Sequence, residues 1–386
     1  MTRPAPTRVL RGLLAAGLVF ALLEGVASLA FFVWSARMSY WRPLPERSHT
    51  VYDPELGWAS RKASVARDVF GPGLDVTTNA RGFRNASEFE VSVPPDKMRV
   101  VALGDSFTLG YGVADSDSWP AALERLCPRL EVPNMGQSGY GIDQSYLWYL
   151  RDGRVIDQDV LVLAFIDDDL LRVRHDDMLG YGKPVLRLID GELVATNVPV
   201  PRAPYLLPAL TQNLALLERL RMVELPRALI ARFAPRPVPG ETMSEAEAQQ
   251  VDEAIFRALA RAAAERDARL LLVHLPHLAQ DRPDQIAELP ALGVAALERV
   301  RAEGLVFADL AEELARVPDP ERRELFEART RDRGAGAHYS ALGNRFIAGA
   351  IAARLARLGW IPESSCGHLD GSAGRADPRE VQRNVE

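Results

Sequence analysis

Gly104-Asp105-Ser106 closes a β-branched apolar run that begins at Val100-Val101, which puts a serine hydroxyl at a strand end. In open α/β sheets, ligands bind in the crevice beyond the carboxyl ends of the strands. A serine hydroxyl alone is a poor nucleophile and needs a base within hydrogen-bond reach. The chain has six histidines. One of them, His338, stands in His338-Tyr339-Ser340-Ala341-Leu342-Gly343-Asn344, just ahead of an amphipathic run to Leu358. An imidazole titrating near neutrality can take the serine proton and return it to a leaving alcohol. The chemistry open to this pair is acyl transfer through a serine ester.

Two further stretches lie between serine and histidine. Pro133-Asn134-Met135-Gly136-Gln137-Ser138-Gly139-Tyr140-Gly141 follows a short strand-like Leu130-Glu131-Val132. The apolar run Val160 to Ile166 ends in Asp167-Asp168-Asp169. Taken in order, the four stretches resemble the sequence blocks of the SGNH/GDSL hydrolases. The resemblance implies Ser106 as nucleophile and His338 as base. It also implies an oxyanion hole formed by the backbone N–H groups of Ser106 and Gly139, with Asp168 at the place of the third-block asparagine.

Two departures from the family pattern bear on activity. The asparagine donates a side-chain amide, whereas an ionised Asp168 cannot donate. A carboxylate about 4 Å from a developing oxyanion would repel it by roughly 4 kcal/mol in a partly screened site. Losing one donor costs about 2.7–4 kcal/mol. Gln137 and Gln144 are candidate substitutes. In the last block the acid expected three residues before the histidine is replaced by Ala335. Asp332, across the loop Gly334-Ala335-Gly336, is the first candidate for the triad acid, and Asp309 is the second.

These groups need a scaffold, and the resemblance implies one: a three-layer α/β/α sandwich around a five-stranded parallel sheet, order 2-1-3-4-5, flavodoxin-like. The continuous apolar runs suit strands buried on both faces. Val160–Ile166, Leu270–His274 and Leu305–Phe307 read as the third to fifth core strands, and Ser244–Asp267 as a long helix. Asp190-Gly191 between apolar residues predicts a hairpin, and Pro201–Phe233 reads as proline-broken amphipathic helices. Residues 98–362 would then form the hydrolase domain, with an insertion at about 171–243. Residues 35–97 would be a linker and small β lead-in segment, and 363–386 a disordered tail.

Leu13 to Trp34 is apolar apart from Glu24. As a helix it would span roughly 33 Å, against about 30 Å of bilayer core. Arg3, Arg8 and Arg11 precede it, so the positive-inside rule leaves residues 1–12 as a cytoplasmic tail and residues 13–34 as a signal anchor. The domain would then face outward, in the periplasm, on a single pass through the cytoplasmic membrane. A cleaved signal peptide, with a shorter apolar core, is the rival reading.

The net charge of −6 argues against a nucleic-acid partner. Two cysteines make no disulfide framework, and both are expected to be unpaired. No cofactor or metal is expected, because no Cys/His cluster has metal-ligand spacing; His274 and His277 bracket a strand end. The expected partner is a small-molecule, glycan or lipid ester. The functional expectation is ester hydrolysis. The alternatives are O-acyl transfer or deacetylation on cell-surface polysaccharide, or ligand binding on a degenerate site.

Overall fold

The computed structural model describes residues 6–37, 49–178, 181–200, 242–278, 285–326 and 338–367. At its centre the strand Met98–Gly104 runs parallel to Val160–Phe165, with Val100 opposite Val160 and Gly104 opposite Ala164. Val160–Phe165 pairs with Arg269–His274, and that strand with Val306–Asp309, all parallel. On the other side of Met98–Gly104 lie Leu130–Glu131 and Asn134–Gly136. These are two halves of one strand, parted at Pro133. Its carbonyl accepts from the Ala102 N–H at 3.0 Å, but proline has no N–H to continue the ladder. The order is 2-1-3-4-5, as the sequence led us to expect.

Alternation along the strands makes the three layers. Val101, Leu103, Leu161, Leu163, Phe165, Leu270 and Leu272 face one core, under the helices Glu245–Ala264 and Ala291–Ala302. Val100, Ala102, Val162, Ala164, Leu271 and Val273 face the other, under Trp119–Leu126 and Ala341–Arg357. Glu245–Ala264 is bounded as its sequence requires. Ser244 caps it in a box with Glu247, and its buried positions, Ala248, Val251, Ile255, Leu259 and Ala262 among them, recur at helical spacing.

Before the sheet come two small hairpins, Thr50–Asp53 with Gly57–Ser60 and Ser64–Ala66 with Val76–Thr78. They pack against the first core through Trp58, and Phe83 just after them is buried there too. The Asp190-Gly191 hairpin forms, pairing Val185–Ile189 with Glu192–Thr196. Both turn residues adopt positive φ, as its tight geometry demands. The expected Pro201–Phe233 helices lie outside the described residues. Pro6–Arg37 is one helix of 32 residues, with an apolar stretch at Leu10–Ala30. Leu13, Leu14, Leu18 and Leu22 on it are exposed.

One expectation is overturned: Cys127 and Cys366 form a disulfide. Cys127 caps the Trp119–Leu126 helix. The chain after Ile361, which is buried in the second core, returns so that the Gly367 N–H donates to Leu126 O at 2.9 Å. The segment from Glu363 to Gly367 is thus structured, with a helical turn at Glu363–Ser365. The bond joins positions 239 residues apart in the chain. Cys127→Ser is therefore expected to lower unfolding free energy by about 2–5 kcal/mol, read as a lower urea midpoint under non-reducing conditions. An unchanged midpoint would mean that the two thiols are free in solution.

Candidate active site

Ser106 opens the short helix Ser106–Leu109 immediately beyond the first core strand. Asp105 caps that helix, its Oδ1 accepting from the Phe107 N–H at 2.8 Å. The turn needs Gly104, because a Cβ there would lie 2.3 Å from Ala164 O and from Thr108 Oγ1. Ser106 Oγ lies 2.8 Å from His338 Nε2, across 232 residues of sequence. The imidazole is held between two rings: it stacks on Phe107 at 4.6 Å between centroids and leans on Tyr111 at 4.8 Å.

The last block fixes the histidine's position. Tyr339 is buried, and its hydroxyl donates to Pro276 O at 2.5 Å. Ser340 caps the closing helix by accepting from the Gly343 N–H. Asn344 Oδ1 accepts from the Trp119 N–H at 2.9 Å, while its Nδ2 donates to the Tyr339 and Ser340 carbonyls. Asn344 thereby ties the helix that follows His338 to the helix that follows the Ser106 turn.

The second block is held by the lead-in hairpin. Trp58 Nε1 donates to Ser138 O at 3.0 Å, and the Tyr140 hydroxyl donates to Trp58 O. Between them Gly139 takes φ +78°, the left-handed conformation that glycine adopts without strain. Gln137 and Gln144, the suggested replacement donors, use their amides elsewhere. Gln137 donates to Ser60 Oγ at 3.2 Å and Gln144 to Leu56 O at 2.7 Å.

Two arginines that sequence reading missed clamp the turn. Arg84, with a fully buried side chain, donates to the carbonyls of Leu109, Gly110 and Val113 and pairs with Asp115 at 2.8 Å. It adds a charged donor to carbonyls at and just beyond the end of the Ser106–Leu109 helix. Arg172 reaches Asp105 at 3.4 Å, Tyr140 O at 2.8 Å and Asp169, so one guanidinium joins three blocks. Burial and the nearby Asp105 push Asp169 well above the usual carboxylate range. Burial would pull Arg172 down, but Asp169, Asp105 and Asp168 outweigh it and raise it. Such arginines carry no local signature; only the folded chain brings their acceptors together.

The three aspartates of the third block go separate ways. The Asp168 side chain is 41 % exposed and lies 3.9 Å from Arg172. Asp169 is buried, and its Oδ2 accepts from the Ile166 N–H. Asp167 contacts His277 Nε2. A surface carboxylate on a helix turned to Arg172 is not what an oxyanion donor requires, so Asp168 is a poor occupant of that role. Asp332 lies outside the described residues. Asp309 accepts from His274 Nδ1 at 2.8 Å and from the Ala311 N–H at 2.9 Å. Burial would raise its carboxyl, but these bonds outweigh it and lower it. Asp309 is thus the partner of His274, which corrects its second-choice assignment to His338.

No protein-family model matches the chain, and no curated protein matches it. Solved structures similar to it include a protein assigned to the G-D-S-L lipolytic family from Desulfitobacterium hafniense DCB-2. It is 14 % identical, with 67 % of this chain and 99 % of that one covered and a TM-score of 0.38. A lipase/acylhydrolase from Enterococcus faecalis is 15 % identical over 67 % and 95 % of the two chains, TM-score 0.38. A lipolytic protein of the G-D-S-L family from Veillonella parvula DSM 2008 is 12 % identical over 65 % and 94 %, TM-score 0.33. Strand order 2-1-3-4-5, a serine at the end of the first core strand and a histidine ahead of the last helix fit the three-layer α/β fold that the SGNH/GDSL resemblance implies.

Proposed function

We propose that the chain is a serine ester hydrolase working through an acyl-enzyme. The observation that carries this reading is the 2.8 Å contact between Ser106 Oγ and His338 Nε2 at the carboxyl end of the sheet. It also weighs against a purely ligand-binding role, which would have no need of an oriented nucleophile–base pair. His338 takes the Ser106 proton as Oγ attacks the ester carbonyl. The tetrahedral oxyanion is held by the backbone N–H groups of Ser106 and Gly139. His338 then protonates the leaving alcohol, and water, deprotonated by the same imidazole, releases the acid. O-acyl transfer uses the same steps with a sugar hydroxyl in place of water.

The test is pre-steady-state hydrolysis of p-nitrophenyl acetate by the full-length chain in detergent. A burst of p-nitrophenol equal to the enzyme concentration is expected, and none from Ser106→Ala. Steady turnover that survives Ser106→Ala would remove the acyl-enzyme from consideration.

The proposed setting is an extracytoplasmic domain on an uncleaved anchor. Apolar side chains exposed on the Pro6–Arg37 helix call for apolar surroundings, and a disulfide favours an oxidising compartment. A reporter fused after Glu386 should be active only outside the cytoplasm, with the protein resisting carbonate extraction. Recovery as a soluble, N-terminally trimmed species would instead mark the segment as a signal peptide.

A further inference from the structure

His277 is buried, 6 % exposed, and both of its ring nitrogens meet acceptors. Nδ1 lies 3.0 Å from Leu278 O, and Nε2 contacts Asp167 Oδ1. A carbonyl oxygen only accepts, so Nδ1 carries a proton. Nε2 and the carboxylate then hold one further proton between them, and the pair as a unit has no net charge. Burial would pull His277 down, but the hydrogen bond and charge of Asp167 outweigh it and raise it. Burial likewise pushes Asp167 up, and His277 overrides it. Both directions favour imidazolium against carboxylate.

One ring, Phe107, links His277 to His338. The Phe107 ring, next to Ser106 in sequence, lies 5.8 Å from the His277 ring and 4.6 Å from the His338 ring. The register sets Gly104 opposite Ala164 and Phe165 opposite His274. Asp167 and His277 therefore leave the sheet at the same end as Ser106.

We propose that His277 is a positioning residue that neutralises the Asp167 carboxylate, so that the third block can present an aspartate without repelling the oxyanion. The idea rests on the ester-hydrolase reading. An unpaired carboxylate in a partly buried site acts at full charge on a developing anion. A hydrogen-bonded pair of zero net charge leaves only a dipole. His277 thus supplies, from the loop after the fourth core strand, the charge that offsets the first of the three third-block aspartates.

The experiment is a double-mutant cycle on the full-length chain in detergent: wild type, His277→Gln, Asp167→Asn and the double variant, assayed on p-nitrophenyl acetate. His277→Gln should lower kcat by roughly a hundredfold, comparable to the loss of one oxyanion donor, with little change in KM. Adding Asp167→Asn should restore most of that loss, because no charge is left to neutralise. A packing role for His277 would give no such rescue.

Histidine-selective 15N NMR of the wild type, with the His277 signal assigned by its loss in His277→Gln, should show Nδ1 protonated at pH 7. A His277→Gln variant at wild-type rate, a double variant no better than the single, or a His277 ring protonated at Nε2 alone would each overturn the proposal. Fluorophosphonate labelling of wild-type Ser106 separates the two levels. If the label is taken and the cycle is flat, only this inference fails. If wild type neither takes label nor hydrolyses ester, the hydrolase reading fails and the positioning role goes with it.

Discussion

Ser106→Ala and His338→Ala are each expected to lower kcat by about a millionfold, and the double variant to be no worse than either single one. In the proposed mechanism the 2.8 Å contact between Oγ and Nε2 makes them act as one unit. Without the base the hydroxyl keeps its proton, and without the hydroxyl the base has nothing to activate. What rate remains should come from backbone N–H groups and substrate binding alone. The measurement is ester hydrolysis above the buffer rate for three variants whose urea midpoints match the wild type. Losses that multiply would show two groups acting independently, which the geometry does not allow.

Arg84→Ala is expected to have the largest effect on stability, about 3–5 kcal/mol. The guanidinium is buried and donates to three carbonyls around the nucleophile turn, besides pairing with Asp115. Its removal takes the charged donor from three buried carbonyls, leaving Val113 O unpaired, and leaves the Asp115 carboxylate with the Thr77 N–H. Arg84→Lys should recover little, because one ammonium cannot reproduce the planar fork of donors. Arg151→Ala is the control. Its pairs with Asp53 and Asp152 are partly exposed, at 28 % for the arginine side chain, and such pairs contribute about 0–1 kcal/mol. Urea unfolding followed by tryptophan fluorescence separates the two. Equal shifts for Arg84→Ala and Arg151→Ala would contradict the clamp.

What the sequence made legible was local. Ser106 was readable because a β-branched strand, a glycine and a capping aspartate are consecutive. The core strands were readable because burial on both faces forces continuous apolar runs, and their ends moved by only a residue or two. His338 was readable because a helix cap follows it. The third block resisted for a simple reason. Three identical aspartates offer no register, yet helical rotation sends Asp167 to His277, Asp168 toward solvent and Asp169 into the core. The disulfide resisted because its cysteines stand 239 residues apart and meet only through the return of the chain after the closing helix. Arg84 and Arg172 looked like ordinary charged residues, and their roles exist only once distant carbonyls and carboxylates have converged.

The central claim is that Ser106 is a nucleophile activated by His338. It is tested most directly by mass-spectrometric mapping of a fluorophosphonate adduct on the intact chain. A single phosphonylated residue, Ser106, is expected, forming at a rate that collapses in His338→Ala while the fold persists. An adduct on another serine, or labelling of Ser106 at the same rate without His338, would contradict it.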